Sequence, residues 1–175
     1  MIDKIKAWFF YRDFRVDGLT NKTQNAGLNS EQNIAVLFDG TNEEDRKTVH
    51  RFKKKLNPDG KKNIYSLAFI DNALPLDNVD YAAYNHKNLK WYGVPFGSKV
   101  EEFMEQNNDM LIVLCKEMKP HFEFIIAHCH SRFKVGPDIK HSEKYLNLII
   151  ECNEYKDIES IANSIIKGID KIAVK

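Results

Sequence analysis

Met110 to Cys115 (MLIVLC) is apolar at every position, follows the polar Asn107-Asn108-Asp109, and is separated from Pro120 by four residues. A half-exposed strand alternates apolar and polar side chains. A run apolar on both sides fits instead a strand buried on both faces, as at the centre of a parallel sheet. Parallel neighbours need long crossover connections, so helices are expected on either side of this run in the chain. Pro120 marks the next one, because proline suits the first turn of a helix, where its missing amide costs nothing. From there Phe122, Ile125, Ile126 and Cys129 fall at i, i+3, i+4 and i+7. Arg132 to Val135 then reads as a strand stopped by Gly136-Pro137.

The same alternation extends in both directions. Ile34 to Phe38 is a short apolar strand followed by Asp39-Gly40-Thr41. Thr41 and Glu44 have capping-box spacing, so a helix is expected from Asn42, with Val49, Phe52 and Leu56 as its apolar stripe. Glu43, Glu44 and Asp45 at its start and Arg51, Lys53, Lys54 and Lys55 at its end match the helix dipole. Asn57-Pro58-Asp59-Gly60 is a turn, and Ile64 to Ile70 a second strand. Asp71 to Asn88 reads as a long connection, Leu89 to Val94 as a third strand ended by Pro95, and Ser98 with Glu101 as a second capping box heading a helix. Tyr145 to Glu151 is the last strand. The C-terminal helix carries Ile158, Ile161, Ala162, Ile165, Ile166, Ile169 and Ile172, with Asp157 as its N-cap. The expected fold is α/β: a single Rossmann-like three-layer domain over residues 34–175, with a mostly parallel sheet of five or six strands.

Residues 1–33 are expected to form an N-terminal amphipathic helix and a linker. Ile2, Ile5, Trp8 and Phe9 recur at helical spacing, Phe10 and Phe14 follow, and residues 16–33 are polar without a period. Ile5, Trp8, Phe9 and Phe10 are the candidate contacts with a partner protein, a second copy of the chain or a membrane surface. The apolar run Ala7 to Tyr11 is too short for a signal peptide or a membrane span. Cys115, Cys129 and Cys152 are odd in number, lie in or beside apolar segments and show no CxxC spacing, which fits reduced thiols and a cytoplasmic protein. A net charge of +1 gives no electrostatic case for nucleic acid.

In sheets of this kind ligands bind beyond the C-terminal strand ends. That directs attention to Asp39, Gly40 and Thr41 after the first strand and Lys116 after the fourth, with Arg132 and Lys134 as further basic candidates. The nucleotide signatures GxGxxG and GxxxxGK[ST] are absent, and no cofactor is expected. No metal site is expected either. His128, Cys129 and His130 are consecutive on a helix and cannot converge on one ion, and Asp77, Asp80 and His86 lie in an irregular connection. The basic run Arg51 to Lys55 with Lys61 and Lys62 reads as a solvated helix end.

The segment LIVLCKEMKPHFEFIIAHCHSRFKVGP resembles an uncharacterised family of small bacterial α/β proteins from Bacteroidota, in which an apolar strand, a loop, a helix and a stretch like RFKVGP follow in that order. The strand-helix-strand order is also similar to the N-terminal half of heptosyltransferase-type glycosyltransferases. That resemblance implies an acidic residue near the first strand, the position of Asp39, and a donor nucleotide held by a second domain, which is not expected in these 175 residues. The functional expectation is an uncharacterised, non-catalytic protein-binding or assembly module. The alternatives are a glycosyltransferase-like binder or enzyme acting on an anionic sugar or nucleotide at the strand ends, and a peripheral membrane protein anchored by residues 2–15.

Overall fold

A computed structural model describes residues 2–14, 32–71, 76, 81–151 and 157–173. The expected linker and Asp77, Asp80 and Cys152 lie outside these residues, apart from Gln32 and Asn33. The chain runs α1 (Ile2–Asp13), β1 (Asn33–Asp39), α2 (Glu43–Leu56), β2 (Asn63–Phe69), β3 (Ala82–Tyr84), α3 (Ser98–Glu105), β4 (Asn108–Leu114), α4 (Pro120–His128), β5 (Ser131–Pro137), β6 (Leu148–Ile150) and α5 (Ile158–Ala173), with single 3-10 turns at His86–Asn88 and Ser142–Lys144. All pairings between the described strands are parallel, in the order β3-β2-β1-β4-β5-β6. This is the three-layer Rossmann-like architecture that the alternating pattern implies.

The alternation of side chains in β1 and β4 divides the core in two. Ile34, Val36 and Phe38, with Met110, Ile112 and Leu114, face α2 and α5. Ala35 and Leu37, with Leu111, Val113 and Cys115, face α3 and α4. Both central strands are buried throughout these positions, which is why MLIVLC carries no polar residue. In α5, Ile158, Ile161, Ala162, Ile165 and Ile169 are buried. Asp157 Oδ1 accepts from the Ser160 amide at 2.7 Å, as expected of its cap.

Three local expectations are corrected. Leu89–Val94 is not a strand. Gly93 has φ of +94°, its amide donates to the Lys90 carbonyl, and Leu89 makes an isolated antiparallel bridge to Pro95, so the segment turns back on itself. The third strand is Ala82–Tyr84 instead, inside the expected connection and too short to show a period. The cap of α2 is Asn42, whose Oδ1 accepts the Glu44 amide at 2.8 Å, while Thr41 turns its hydroxyl to the Asp71 amide at 2.9 Å. At α3 the N-cap is Gly97, with φ of +112°, rather than Ser98.

α1 packs on the α3–α4 side of the domain. Phe10 is 5% exposed among Val94 and Phe124, and Phe14 sits against Phe124, His128 and Tyr145. Tyr92 donates to Asp13 Oδ2 at 2.5 Å and Lys90 to the same oxygen at 3.3 Å. These bonds, the Tyr92 hydroxyl foremost, outweigh partial burial and hold the Asp13 carboxyl down at about 2. No described helix is long and apolar enough to cross a membrane.

Candidate functional site

The strand order reverses direction around β1 and β4. α2 leaves the C-terminal end of β1 on one face, and α4 leaves β4 on the other. The crevice between the two strand ends is the topological switch point, where backbone loops diverge and leave room for side chains to converge. Asp39, the last residue of β1, meets Lys119, the residue before α4, with Nζ donating to Oδ2 at 3.0 Å. The other carboxylate oxygen accepts the Thr41 amide at 3.0 Å. Partial burial works to raise the Asp39 pKa, but the bonds from Thr41 and Lys119 overcome it and the carboxyl titrates below its ordinary value.

Phe69, at the end of β2, forms the wall of this site. The Lys119 ammonium lies 5.1 Å from its ring centre, and the His121 ring 4.2 Å from it. His121 is buried, and its Nδ1 is 2.7 Å from the Tyr84 hydroxyl. Burial foremost, reinforced by the Lys119 charge, depresses the His121 pKa to about 3. Burial likewise keeps Tyr84 protonated to well above its ordinary range. The pair is therefore neutral at physiological pH. Farther out, His86 Nε2 contacts Asp71 Oδ1. An acid, a base and a neutral imidazole thus line one edge: the carboxylate and ammonium can bind a polar ligand, but each is already spent on the other.

Of the residues expected to bind a ligand, Asp39, Gly40 and Thr41 lie at this edge, and Lys116 lies beside it but pairs with Asp45 at 3.0 Å. Arg132 and Lys134 do not join them. Arg132 is at the start of β5, the opposite end of the sheet, where it pairs with Asp109 at 3.5 Å. Lys134 is buried, and its ammonium donates to the Ile126 carbonyl near the end of α4 at 2.6 Å. Strand direction explains both: residues two and four of a parallel strand that begins at Ser131 cannot reach the edge where it ends. The sequence reading missed Lys119, His121 and Tyr84 as a group. Their only local signal is that Lys119 and His121 flank Pro120, the residue that starts α4.

The His-Cys-His cluster disperses. His128 Nδ1 bonds back to the Phe124 carbonyl, Cys129 is buried at the helix end, and burial raises its thiol pKa. Cys115 is buried as well, with burial and the nearby Asp39 charge raising its thiol to about 12, so neither cysteine supplies a thiolate. Among the described residues no group of three His, Cys, Asp or Glu side chains could hold a metal ion.

The second candidate surface is the outer side of α1. Ile2, Trp8 and Tyr11 are 68%, 61% and 62% exposed, and Ile5 is exposed too. Trp91, 58% exposed in the turn after the 3-10 helix, continues the surface through its edge contact with Phe9. Of the four expected contact residues, Ile5 and Trp8 point outward, Phe9 is half-buried, and Phe10 is consumed by packing on the domain.

Comparison with known proteins adds a family and little else. A family model described as a family of unknown function, DUF6913, matches residues 12–172. No curated protein matches the chain. Among solved structures, the homoserine dehydrogenase of S. aureus aligns with 82% of this chain and 30% of its own, at 12% identity and a TM-score of 0.34. A likeness that weak carries no weight for function, and the fold assignment rests on the strand order.

Proposed function

We propose, from the premise that this chain belongs to DUF6913, a family of unknown function, that it is a non-catalytic docking module whose partner is another protein. The observation that supports this reading is the set of exposed apolar side chains Ile2, Ile5, Trp8 and Tyr11, with Trp91 beside Phe9, on a helix held to the domain by Phe10, Phe14 and Asp13. Large exposed aromatic patches mark interaction surfaces, and Trp, Tyr and Arg are the residues most often found at their energetic centres. Arg12 completes that set, with its guanidinium 4.8 Å from the Phe9 ring centre and paired with Asp13. A guanidinium already engaged in this way is poorly placed to seek a lipid phosphate, so we favour a protein over a membrane surface. Buried free thiols at Cys115 and Cys129 fit a reducing compartment, and we take the module to act in a bacterial cytoplasm.

A photo-cross-linking residue at position 8, activated in the producing cells, should give a discrete protein adduct that is lost when Trp91→Glu is added. Sedimentation of the purified chain then tells whether the partner is a second copy. Cross-linking to lipid alone, or an adduct indifferent to Trp91, overturns the reading.

A second reading has one observation in its favour, the meeting of Asp39 and Lys119 at the switch point. In it the chain binds an anionic sugar or nucleotide there, in the manner of a glycosyltransferase half-domain. A nucleotide sugar that raises the melting temperature of the wild type but not of Lys119→Met supports it; no shift from any nucleotide sugar removes it.

A further inference from the structure

On the opposite face of the sheet, away from α1, a groove of about 600 Å³ opens between α2 and the outer flank of β2. Its origin is topological. α2 packs against α5 on one side, and β3 pairs with β2 only at Leu67, Ala68 and Phe69, so no described strand borders the first half of β2 on the edge away from β1. The volume falls in the range of small-molecule sites.

The groove is lined by bases, with no acid among its described lining residues. Arg46, His50 and Lys53 stand at i, i+4 and i+7 on one side of α2, and Lys62 enters from the loop before β2. Lys53 is half-buried, and among the described residues its ammonium bonds only to the Ser66 hydroxyl, at 3.0 Å. Lys62 donates to the Leu56 carbonyl at 2.8 Å, and Arg46 uses one terminal nitrogen on the Gly40 and Thr41 carbonyls. Among the described residues no carboxylate pairs with any of these cations. That contrasts with Lys47 and Arg51 on the same helix, which each have glutamate partners. The uncompensated burial lowers the Lys53 pKa. Positive charge withdrawn from water and bonded only to neutral oxygens is stabilised when an anion enters. The floor is apolar, with Phe38 and Tyr81 in ring contact at 5.9 Å.

We propose that this groove binds a small phosphate-bearing molecule with a planar ring, of the nucleotide class, its phosphates held by Arg46, His50 and Lys53 and its ring against Tyr81. The site is separate from the Asp39–Lys119 crevice, since Phe38 and Asp39 point to opposite faces of β1. The enclosed size and the near-zero net charge favour a single nucleotide over a nucleic-acid chain.

The test is calorimetric titration of the full chain with ADP, pyrophosphate and a single-stranded RNA oligonucleotide, on the wild type, Lys53→Met, Lys62→Gln, Lys119→Met and the control Lys55→Gln. ADP should bind the wild type more tightly than pyrophosphate, and Lys53→Met should weaken it about tenfold or more. Lys55→Gln, outside the groove, should leave it within about twofold. Lys53→Met keeps the aliphatic stem and should fold; if it does not, Lys62→Gln carries the comparison. Failure of ADP to bind at millimolar concentration overturns the proposal. So does affinity unchanged in both groove variants, or RNA binding more tightly than ADP. Loss of binding in Lys119→Met with none in Lys53→Met assigns the anion to the crevice and likewise overturns it.

Discussion

Asp39 and Lys119 are 80 residues apart in the chain and 3.0 Å apart in the fold, joined across the point where the sheet reverses its strand order. Both are about a quarter to a third exposed, so water screens the pair only in part. Lys119→Met leaves the Asp39 charge with Thr41 in place of a full cationic partner. It should cost about 1–3 kcal/mol at pH 7, and the double-mutant cycle with Asp39→Asn should show a coupling of about 0.5–2 kcal/mol. The Asp39 pKa is depressed in the fold, so its contribution is present above the unfolded carboxylate value and is lost as pH falls through the lower folded value. Urea denaturation at pH 7 and pH 3 measures both; a coupling within error of zero refutes the account.

His121 makes a second pH-dependent contribution. Its folded pKa of about 3 lies below the ordinary imidazole value, so the unfolded chain binds a proton that the folded chain does not. The stability this depression confers is complete above about pH 6.5 and falls at up to about 1.4 kcal/mol per pH unit toward pH 3. His121→Phe should remove that slope between pH 6 and 4, even though it leaves the buried Tyr84 hydroxyl without its partner and lowers stability at pH 7. Parallel pH dependences for wild type and variant would show that His121 titrates as if exposed.

α1 is held to the domain chiefly by Phe10. Phe10→Ala should weaken that docking by about 2–3 kcal/mol while leaving the sheet intact. Amide exchange of residues 5–13 should then accelerate strongly, with β1 and β4 unchanged. Global loss of protection would mean that α1 is part of the cooperative core instead of an appended element.

Gly136, in the RFKVGP stretch, is required by packing and has no need of a positive φ. A Cβ there would lie 2.8 Å from Leu146 Cδ1 and 3.1 Å from Val113 Cβ. The leucine can rotate, but Val113 is fixed in the central strand. Gly136→Ala should therefore cost about 1–3 kcal/mol, seen as a lowered midpoint with an unchanged m-value.

These sites differ in how far the sequence announces them. β1 and β4 are readable because a strand buried on both faces is apolar along its buried run, β2, interrupted by Ser66, because a turn precedes its β-rich run, and α5 because one side of it is apolar. β3 is not, since Ala82, Ala83 and Tyr84 are too few for a period, while LKWYGV imitates a strand until Gly93 adopts a φ that turns the chain. Asp39 and Thr41 are found by the rule that loops at C-terminal strand ends converge. Lys119 and His121 escape that rule because their connection to Asp39 runs through space. Arg132 and Lys134 fail it because strand direction puts one at the far end of the sheet and the other inside it.

By itself, then, the sequence determined the local elements and the parallel class of the sheet, because burial on two faces and the helical repeat both leave periodic marks in the chain. Strand order, the pairing of Asp39 with Lys119, the outward turn of Trp8 and the basic groove under α2 were decided by tertiary structure alone. Each depends on which distant segments become neighbours, and no spacing along a chain encodes a distance across it.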